Sequence, residues 1–353
     1  MMIAELPSLP KTDLDYIYSS LSASEWTFLK NKRLFITGGT GFIGKWMLSA
    51  VLEANKRLSL GCHIEILTRS SDAFATAMPQ IAFARNITLR QGDVRKFDFP
   101  SGRFDIVIHA ATDVVAKNSP VETYSTCVEG TQNILKFTRI SGATDFLLTS
   151  SGAIYGRHPD TEGGVSEDYL GGPDPTSADS AYAEGKRASE TMACLEAIDT
   201  GLRVKIGRIY AQIGPYLPLD KQFAIGNFIS DVLADRQITI RGDGTPYRSY
   251  LHVADTTVWL LAMLVRGSPG RAWNIGGTEG MSIAELAKRV AQLLGSTKDI
   301  KVLTIGTAGQ RVERYVPNVN RAMSELDLSA PISVNEAILR TAKWLVENNM
   351  VKK

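Results

Sequence analysis

Cysteine and histidine are scarce in this sequence, and their spacing excludes several kinds of site. The 353 residues include 3 cysteines, Cys62, Cys127 and Cys194, and 4 histidines, with no CxxC pair. Three scattered cysteines do not make a disulfide framework, and neither residue type shows the spacing of a zinc site. We therefore expect buried, reduced thiols and no bound metal.

A charge excess and long apolar runs are missing as well. The 39 basic and 37 acidic side chains leave a net charge of +2, without the basic stripe that nucleic-acid binders usually show. No apolar run approaches the roughly 20 residues that span a bilayer. The segment from Met1 to Leu34 lacks an apolar signal core and carries Glu5 and Asp13 early, which argues against secretion. We expect a cytoplasmic protein that binds neither nucleic acid nor membrane.

What the sequence does contain is an alternation of short apolar segments with longer amphipathic ones. Strand-like segments lie at 33–37, 63–69, 87–91, 104–110, 145–150 and 202–210. Helical patterns lie between several of them, at 44–54, 121–140 and 182–200. Strands that alternate with helices predict a doubly wound parallel sheet with right-handed crossovers. The expected fold is therefore α/β, of the Rossmann type.

The pattern divides the chain into three predicted parts. Residues 1–32 are polar with interspersed aromatics, and they are typical of a short helical extension. Residues 33–212 contain a glycine-rich turn after the first strand and a tyrosine four residues before a lysine in a helix, and they are predicted to form the NAD(P)-binding domain with the catalytic residues. Residues 213–353 are predicted to form a smaller mixed α/β lobe that binds substrate, with chain crossings between the two. The segment 160–180 is rich in Gly, Pro, Asp and Ser, which predicts a surface loop.

The most informative stretch is the glycine-rich turn at 37–44, which reads Thr-Gly-Gly-Thr-Gly-Phe-Ile-Gly. It follows the first predicted strand and opens a helix, as a dinucleotide-binding fingerprint must. Its glycines allow a sharp bend, close approach of backbone to a pyrophosphate and tight helix–strand packing, while the helix N-terminus faces the phosphates. The spacing GxxGxxG is a variant of the usual GxGxxG. The predicted cofactor contacts are Gly38, Thr40, Gly41, Phe42, Ile43 and Gly44.

The end of the second predicted strand favours NADP over NAD. NAD enzymes usually place an acid there, which binds the ribose 2′-hydroxyl, whereas this chain has Thr68, Arg69 and Ser70. A guanidinium can pair with the 2′-phosphate that a carboxylate would repel. Arg69 could instead stack on the adenine or stay solvated, and it would then serve both cofactors alike.

Residues after the third and fourth predicted strands continue the cofactor site. Asp93 and Val94 follow the third strand, where a carboxylate can accept a hydrogen bond from the adenine amino group. Ala110 and Ala111 follow the fourth strand, where small side chains let a cofactor lie close.

A serine, a tyrosine and a lysine form the predicted catalytic set. Tyr182 and Lys186 are four residues apart in a predicted helix, so their side chains share one face. Lys186 can then stabilise the ionised phenol and bind the nicotinamide ribose, and Tyr182 can act as acid or base on a carbinol or carbonyl oxygen. Ser151, at the end of the fifth strand, can hydrogen-bond the same oxygen, while Ser150 could be structural.

Together these motifs resemble the extended short-chain dehydrogenase/reductase family, the group of nucleotide-sugar epimerases and dehydratases. The resemblance runs from about residue 33 to the C-terminus, and it includes segments 130–131, 248–255 and 274–277. It implies an NAD(P)-dependent enzyme that acts on a nucleoside-diphosphate sugar, with Tyr182 and Lys186 also in contact with the cofactor. It further implies a homodimer formed through the helices at 121–140 and 182–200.

The resemblance also implies where the substrate binds. Arg248 matches an arginine that contacts the diphosphate of the sugar nucleotide, Arg314 resembles a second phosphate or ribose contact, and Asn227 a further contact. Thr112 and Ser151 complete the predicted substrate-binding set.

Three departures from the family pattern narrow the activity. In the family's 4,6-dehydratases the serine or threonine is followed by Asp-Glu, which removes the C5 proton and expels water, and the sugar-acid decarboxylases place a glutamate there. This chain has Gly152 and Ala153 at those positions. Cys127 stands where an asparagine often precedes the Val-x-Gly-Thr stretch, and it could pack under the active site or act as a catalytic thiol. Arg69 replaces the acid typical of NAD-retaining epimerases.

The predicted function is therefore that of an NAD(P)-dependent nucleotide-sugar epimerase or 4-ketoreductase, which transfers a hydride at C4 and is not a 4,6-dehydratase. Arg69 favours the reductase, and the overall resemblance favours the epimerase. Two other hypotheses stay open. A reductase of a non-nucleotide ketone would leave Arg248 without a role, and a non-catalytic dinucleotide sensor would not need Ser151, Tyr182 and Lys186.

Overall fold

The computed structural model describes residues 5–112, 119–159, 163–219, 221, 223–306 and 312–351. Its centre is a seven-stranded parallel sheet flanked by helices, which confirms the predicted Rossmann-type α/β fold. The strands of the described residues are β1 (Arg33–Thr37), β2 (His63–Thr68), β3 (Ile87–Gln91), β4 (Ile106–His109), β5 (Asp145–Ser151), β6 (Arg203–Ile209), β7 (Gln212–Ile213), β8 (Thr239–Ile240), β9 (Tyr247–Arg248), β10 (Leu251–His252), β11 (Arg271–Ile275), β12 (Met281–Ser282), β13 (Lys301–Val302) and β14 (Arg314–Tyr315).

The helices account for most of the remaining regular structure. They are α1 (Lys11–Ser19), α2 (Ala23–Trp26), α3 (Phe42–Leu58), α4 (Ser71–Ala77), α5 (Pro79–Ala82), α6 (Pro120–Ser141), α7 (Ala181–Thr200), α8 (Ala224–Leu233), α9 (Val253–Arg266), α10 (Ile283–Leu293), α11 (Asn320–Glu325) and α12 (Val334–Glu347). Short 3-10 turns cover Thr27–Leu29, Gly152–Tyr155 and Ala178–Ser180.

The order of the central sheet determines where a ligand can bind. The strands lie in the order β11-β6-β5-β4-β1-β2-β3. The chain first adds strands on one side of β1 and then, from β4 onward, on the other. In such sheets ligands bind beyond the carboxyl ends of the strands, at the point where the strand order reverses. The residues that follow β1 and β4 are therefore neighbours at that point.

The middle of the sheet is covered on both faces. Leu34, Phe35 and Ile36 of β1 are almost completely buried, as expected for a central strand of a parallel sheet with helices on each side. Phe35 packs its ring against Phe137 of α6, with ring centroids 4.5 Å apart, and against Phe104 edge to face. This apolar support fixes α6 against β1.

Helix α6 begins and ends where the side-chain chemistry requires. Ser119 and Glu122 form a capping box, in which each side chain binds a backbone N–H of the other residue, and Pro120 occupies the first helical position. Gly142 ends the helix in the left-handed conformation, with φ of 70°, which glycine adopts without strain. The helix predicted at 121–140 is thus present with nearly the expected bounds.

Two strands of the structure differ from what the sequence pattern predicts. The sequence pattern does not indicate β11, because Arg271 and Asn274 interrupt its apolar residues, yet the strand pairs with β6 at the edge of the sheet. The sequence pattern also predicts a short strand over 237–241, and the structure has only the two residues of β8 there.

The chain forms two compact units. The first consists of Met1–Gly156, Pro173–Arg208 and Thr257–Trp273, and the second of Arg157–Gly172, Ile209–Thr256 and Asn274–Lys353. The second unit contains three small sheets, which pair β7 with β10, β9 with both β12 and β14, and β8 with β13.

The N-terminal segment forms part of the first unit. Ile17, Trp26 and Leu29 are buried, and helix α1 packs on α3. The Glu25 carboxylate pairs with Arg266 at the end of α9, where Arg266 Nη2 donates to it at 3.1 Å. This ion pair lowers the pKa of Glu25 to about 2.

Across the described ranges, the helices all lack the combination of length and apolar character that a bilayer crossing needs. Over the same part of the chain, no cluster of three or more His, Cys, Asp or Glu side chains is arranged to hold a metal ion.

Candidate functional site

The glycine-rich turn lies directly against the end of β4. Gly38 has φ of 72°, and a Cβ atom there would come within 2.4 Å of the Ala110 carbonyl. A Cβ on Gly44 would lie 2.3 Å from the Gly38 oxygen. Both positions therefore require glycine, which lets the turn pack tightly against the end of β4 and the start of α3 pack tightly against the turn.

Helix α3 begins at this turn with its amide groups oriented as in anion sites. Gly41 is the N-cap and provides no side-chain hydrogen bond to the first turn, where Phe42 and Ile43 are partly buried. Backbone N–H groups and the helix dipole then favour a phosphate at this end. Lys45, which the sequence analysis does not assign, adds a cation, and its Nζ donates to the Thr40 carbonyl at 3.0 Å. Burial lowers the pKa of Lys45 to about 8.

The end of β2 presents an exposed cation. Arg69 is exposed, and Ser70 accepts a hydrogen bond from the Ala73 N–H, which caps α4. The Asp93 carboxylate is held by Arg95, whose Nε and Nη2 each donate to it at 2.9 Å. The pKa of Asp93 is lowered mainly by that pair, and the charge of Arg69 contributes. Arg69 and Asp93 are therefore brought close, and Arg95 is a partner that the sequence analysis does not anticipate.

Small residues line the end of β4. Ala110 and Ala111 donate their backbone N–H groups to Thr37 Oγ1 at 3.2 and 3.1 Å. Thr112 donates its hydroxyl to the Ala111 carbonyl at 2.7 Å. Val94 is buried and supports α6 at Gly130, where a Cβ atom would come within 2.9 Å of Val94, so the side chain of Val94 packs on the helix.

Ser151 occupies the last position of β5. Its side chain is buried, and its Oγ accepts a hydrogen bond from the Ala153 N–H at 3.1 Å, which starts the 3-10 turn Gly152–Tyr155. The neighbouring Ser150 hydroxyl is buried with no hydrogen-bond partner in the described part of the chain.

Helix α7 brings the tyrosine and the lysine to the end of β5. The helix packs against β5 and against the 3-10 turn that follows. Lys186 is 4% exposed, and its Nζ donates to the Thr149 carbonyl at 2.8 Å. Burial lowers the pKa of Lys186. Tyr182 lies one turn before Lys186 in α7 and is partly exposed.

Cys127 in α6 lies against helix α7. A Cβ atom on Gly185 would come within 2.7 Å of the Cys127 Cβ, so α6 and α7 approach closely here. Burial raises the pKa of the Cys127 thiol, and the nearby Lys186 charge and a hydrogen bond with Thr112 only partly oppose that rise. A buried neutral thiol packs well, and it is a poor nucleophile.

In the second unit, Arg248 and Arg314 lie on neighbouring strands. β9 and β14 pair in parallel, with Arg314 opposite Tyr247 and Tyr315 opposite Arg248. Each arginine stacks on the tyrosine opposite it: Arg314 lies 4.2 Å from the Tyr247 ring centroid, and Arg248 lies 5.6 Å from that of Tyr315. Because side chains alternate along a strand, the two arginines extend from opposite faces of this ribbon.

Arg248 and Asn227 also form hydrogen bonds with residues near them in the second unit. Arg248 Nη2 donates to Glu313 at 2.9 Å. On the same face, Tyr315 packs against Tyr210, with ring centroids 4.5 Å apart. Asn227 in α8 donates its amide to the Lys221 carbonyl at 2.9 Å, so in this structure it holds the preceding loop.

Comparison with known proteins agrees with this geometry. The model of the NAD dependent epimerase/dehydratase family matches residues 34–276. UDP-glucuronic acid decarboxylase 6 of Arabidopsis thaliana is 29% identical over 317 residues, which is 88% of each chain.

Solved structures show the same fold. A UDP-N-acetylglucosamine 4-epimerase from Methanobrevibacter ruminantium, in complex with UDP-N-acetylmuramic acid, superposes with a TM-score of 0.76 at 20% identity, over 90% of this chain and 99% of the other. A dTDP-glucose 4,6-dehydratase from Streptomyces venezuelae with NAD bound gives a TM-score of 0.76 at 23% identity, over 90% and 98%. The proteins similar to this chain thus include a decarboxylase, an epimerase and a dehydratase.

Proposed function

Because this chain belongs to the NAD dependent epimerase/dehydratase family, we propose that it transfers a hydride at C4 of a nucleoside-diphosphate sugar, as a 4-epimerase or a 4-ketoreductase. In this proposal it eliminates neither water nor carbon dioxide. The first unit binds the cofactor and carries the catalytic residues, and the second unit recognises the substrate.

One observation carries the proposal. Ser151 is followed by Gly152 and Ala153, which form the start of a buried 3-10 turn. The family resemblance implies that dehydratases need Asp-Glu at these two positions and that decarboxylases need a glutamate. Glycine and alanine side chains cannot take up a proton at C5 or assist loss of a carboxylate. The activity named for the similar decarboxylase therefore does not carry over to this chain.

The residues that remain suffice for hydride transfer at one carbon. When bound, the nicotinamide cofactor accepts or supplies the hydride. Tyr182 takes or returns the proton of the C4 oxygen, and Ser151 donates a hydrogen bond to the same oxygen. Lys186, held by the Thr149 carbonyl, supplies the positive charge that favours the ionised phenol. Thr112, which follows β4 in the chain, is proposed as a further contact for the sugar.

We further propose that the cofactor is NADP rather than NAD. The glycine turn and the start of α3 provide a surface that fits a pyrophosphate. Beside it, the exposed Arg69 can meet a 2′-phosphate, and Ser70 can donate its hydroxyl while it caps α4. Asp93 is already paired with Arg95, which reduces its repulsion of such a phosphate.

The substrate contacts are assigned to the second unit. Arg248 is proposed to bind the diphosphate by exchanging its exposed partner Glu313 for a phosphate. Because Arg314 extends from the other face of the ribbon, it is proposed to contact a different part of the nucleotide, as a ribose contact would require. Asn227 is proposed to act by shaping the loop that it holds.

The assembly is proposed to be a cytoplasmic homodimer. Exposed apolar side chains lie on the two helices that the resemblance assigns to the interface: Val121 and Tyr124 on α6, and Leu195 and Ile198 on α7. Four such side chains on two packed helices are a surface that a second copy can bury.

The decisive experiment is a product analysis. The protein would be incubated with UDP-glucuronic acid, with UDP-, dTDP-, CDP- and GDP-hexoses and with a nucleoside-diphosphate 4-keto sugar, in the presence of both cofactors. The products would be separated by chromatography and identified by mass spectrometry and proton NMR, which distinguishes C4 epimers. We expect products of unchanged mass for an epimerase, or a reduced 4-keto sugar with stoichiometric loss of NADPH for a reductase. Tyr182→Phe protein is the control for enzyme-independent change. Release of carbon dioxide, or a sugar lighter by one water, would overturn the proposal.

A further inference from the structure

A chain of buried hydrogen bonds connects the dinucleotide turn with the catalytic helix. It starts at Thr37, the residue before Gly38, whose Oγ1 lies 2.7 Å from Nδ1 of His109 at the end of β4. The other ring nitrogen, Nε2, lies 3.0 Å from Oγ1 of Thr131 in α6. Thr131 then donates to Ser189 Oγ in α7 at 2.8 Å. All four side chains are at most 2% exposed.

The direction of each hydrogen bond follows from counting lone pairs. Thr37 Oγ1 already accepts the backbone N–H groups of Ala110 and Ala111. The Ala110 N–H is shared with the Thr37 carbonyl at 3.1 Å, so the direction is decided at the Ser189 end. The Ser189 proton goes to backbone carbonyl oxygens, and Thr131 therefore donates to Ser189 and accepts from the neutral His109 ring. Nδ1 of His109 must therefore be the acceptor, and Nε2 must carry the proton that is donated to Thr131.

The same count gives the direction of the hydrogen bonds at Thr131 and Ser189. Thr131 donates to Ser189 and accepts from His109, and the Ser189 proton is directed to the carbonyl oxygens of Gly185 and Cys127 at 2.9 and 3.0 Å. Gly185 immediately precedes Lys186 in α7. The series of hydrogen bonds therefore ends on the turn of α7 that carries the proposed catalytic lysine.

A second connection leaves from the backbone of His109. Its carbonyl accepts the Thr149 hydroxyl at 3.3 Å, and the Thr149 carbonyl accepts the Lys186 ammonium at 2.8 Å. His109 is thus linked to Lys186 twice, through its ring by way of α6 and through its backbone by way of β5.

We propose that His109, neutral and protonated on Nε2, is a positioning residue that holds Lys186 in register with the dinucleotide-binding turn. A doubly protonated ring would place an N–H against Thr37 Oγ1, which already accepts the Ala111 N–H and shares the Ala110 N–H. In agreement, burial and the charge of Lys186 lower the pKa of His109 to about 3. The ring spans three elements, because its two nitrogens point in different directions toward β1 and α6.

Threonine 131 offers a test in which packing and hydrogen bonding predict opposite results. Thr131→Val keeps the volume and removes the hydroxyl, whereas Thr131→Ser removes a methyl group and keeps the hydroxyl. The control is Thr138→Val, a buried threonine of the same helix whose hydroxyl bonds only to the Ile134 carbonyl of its own helix at 2.7 Å. The readout is the dissociation constant of NADP and of NAD, which needs no knowledge of the sugar substrate.

We expect Thr131→Val to weaken binding of both cofactors about tenfold, at the upper end for loss of a buried hydrogen bond, with Thr131→Ser and Thr138→Val close to the original protein. If Thr131→Ser weakens binding more than Thr131→Val does, or if all three variants bind alike, the positioning role is wrong. Because the readout is cofactor binding, either result is independent of the sugar chemistry proposed above.

The tautomer of His109 gives a second test, which is measured on the original protein. Nitrogen NMR of the original protein, with His109 assigned by the signal that His109→Asn removes, reports which ring nitrogen is protonated. We expect Nε2 to be protonated and Nδ1 unprotonated at neutral pH. A protonated Nδ1 would reverse the hydrogen-bond chain and overturn the inference.

Discussion

The proposed catalytic residues of the first unit and the arginines of the second unit occupy opposite kinds of environment. Ser151 and Lys186 are at most 5% exposed, and backbone groups fix both side chains. Arg248 is partly exposed, and its carboxylate partner Glu313 is 58% exposed. Groups fixed by burial can orient reacting atoms, whereas exposed charges act through attraction that solvent screens. Changes in the first unit should therefore affect turnover, and changes at the ribbon should affect affinity.

The largest effect should come from Tyr182→Phe. The substitution removes only the hydroxyl that moves the proton, a contribution of about 10²–10⁴-fold in rate, and the ring remains to pack. We expect turnover to fall by that factor and cofactor affinity to stay within about twofold. Steady-state kinetics with the substrate found by product analysis, together with cofactor titration, measure both quantities.

Tyr18→Phe is the matched control, because Tyr18 lies in the N-terminal segment and stacks on Trp26. Near-normal turnover of Tyr182→Phe would remove this residue from the mechanism and would abolish the contrast between the two units.

The second effect in size should come from Arg248→Ala. Loss of a hydrogen bond to a charged group costs about 1.5–3 kcal/mol, which corresponds to roughly a 10- to 150-fold rise in KM for the sugar nucleotide. We expect kcat and NADP affinity to change little. Calorimetry with a nucleoside diphosphate measures the loss directly.

Arg289→Ala is the control, since Arg289 is another partly exposed arginine of the second unit and pairs with Glu279 at 2.6 Å. A fall in kcat with unchanged KM would contradict the division of roles, because it would give the exposed arginine a part in the chemistry.

The smallest effect should come from Arg69→Ala, which tests an exposed charge that is proposed to select the cofactor. The original protein should bind NADP about tenfold more tightly than NAD, a difference of about 1.4 kcal/mol, and the variant should bind both alike. Screening limits the gain, because Arg69 is exposed. Paired titrations of NADP and NAD measure the ratio.

Arg85→Ala, an exposed arginine that precedes β3, serves as the reference. Equal binding of NAD and NADP by the original protein would mean that Arg69 serves both cofactors, and the case for a ketoreductase over an epimerase would weaken with it.

Much of the fold can be predicted from the sequence because strand and helix periods are local. β1 and β3 have the predicted bounds, and α6 and α7 differ by one residue at their ends. The strand β11 cannot be found in this way, since it contains Arg271 and Asn274 and its position depends on pairing with β6. Tertiary pairing there overrides composition.

The candidate site is less accessible to sequence reasoning. The sequence suffices to propose Ser151, Tyr182 and Lys186 as a catalytic set. Ser151 ends β5, and the tyrosine and the lysine are four residues apart in the next long helix. Arg95 and Lys45 each lie one residue beyond an assigned position, but their roles depend on how the turns bend. Arg248 and Arg314 extend from opposite faces because of the register of β9 with β14. That register pairs residues far apart in the sequence, so the sequence alone does not predict it.

The N-terminal segment has a consequence for how the protein can be handled. Leu6 donates its backbone N–H to the Ala77 carbonyl at 2.7 Å, Trp26 is 1% exposed, and Glu25 reaches Arg266 at the end of α9. A shortened version that starts at Arg33 would uncover the surface of α3 on which α1 now packs and would remove the carboxylate partner of Arg266. Such a protein should be difficult to keep in solution, and a purification tag or a fusion partner is better joined at the other end of the chain.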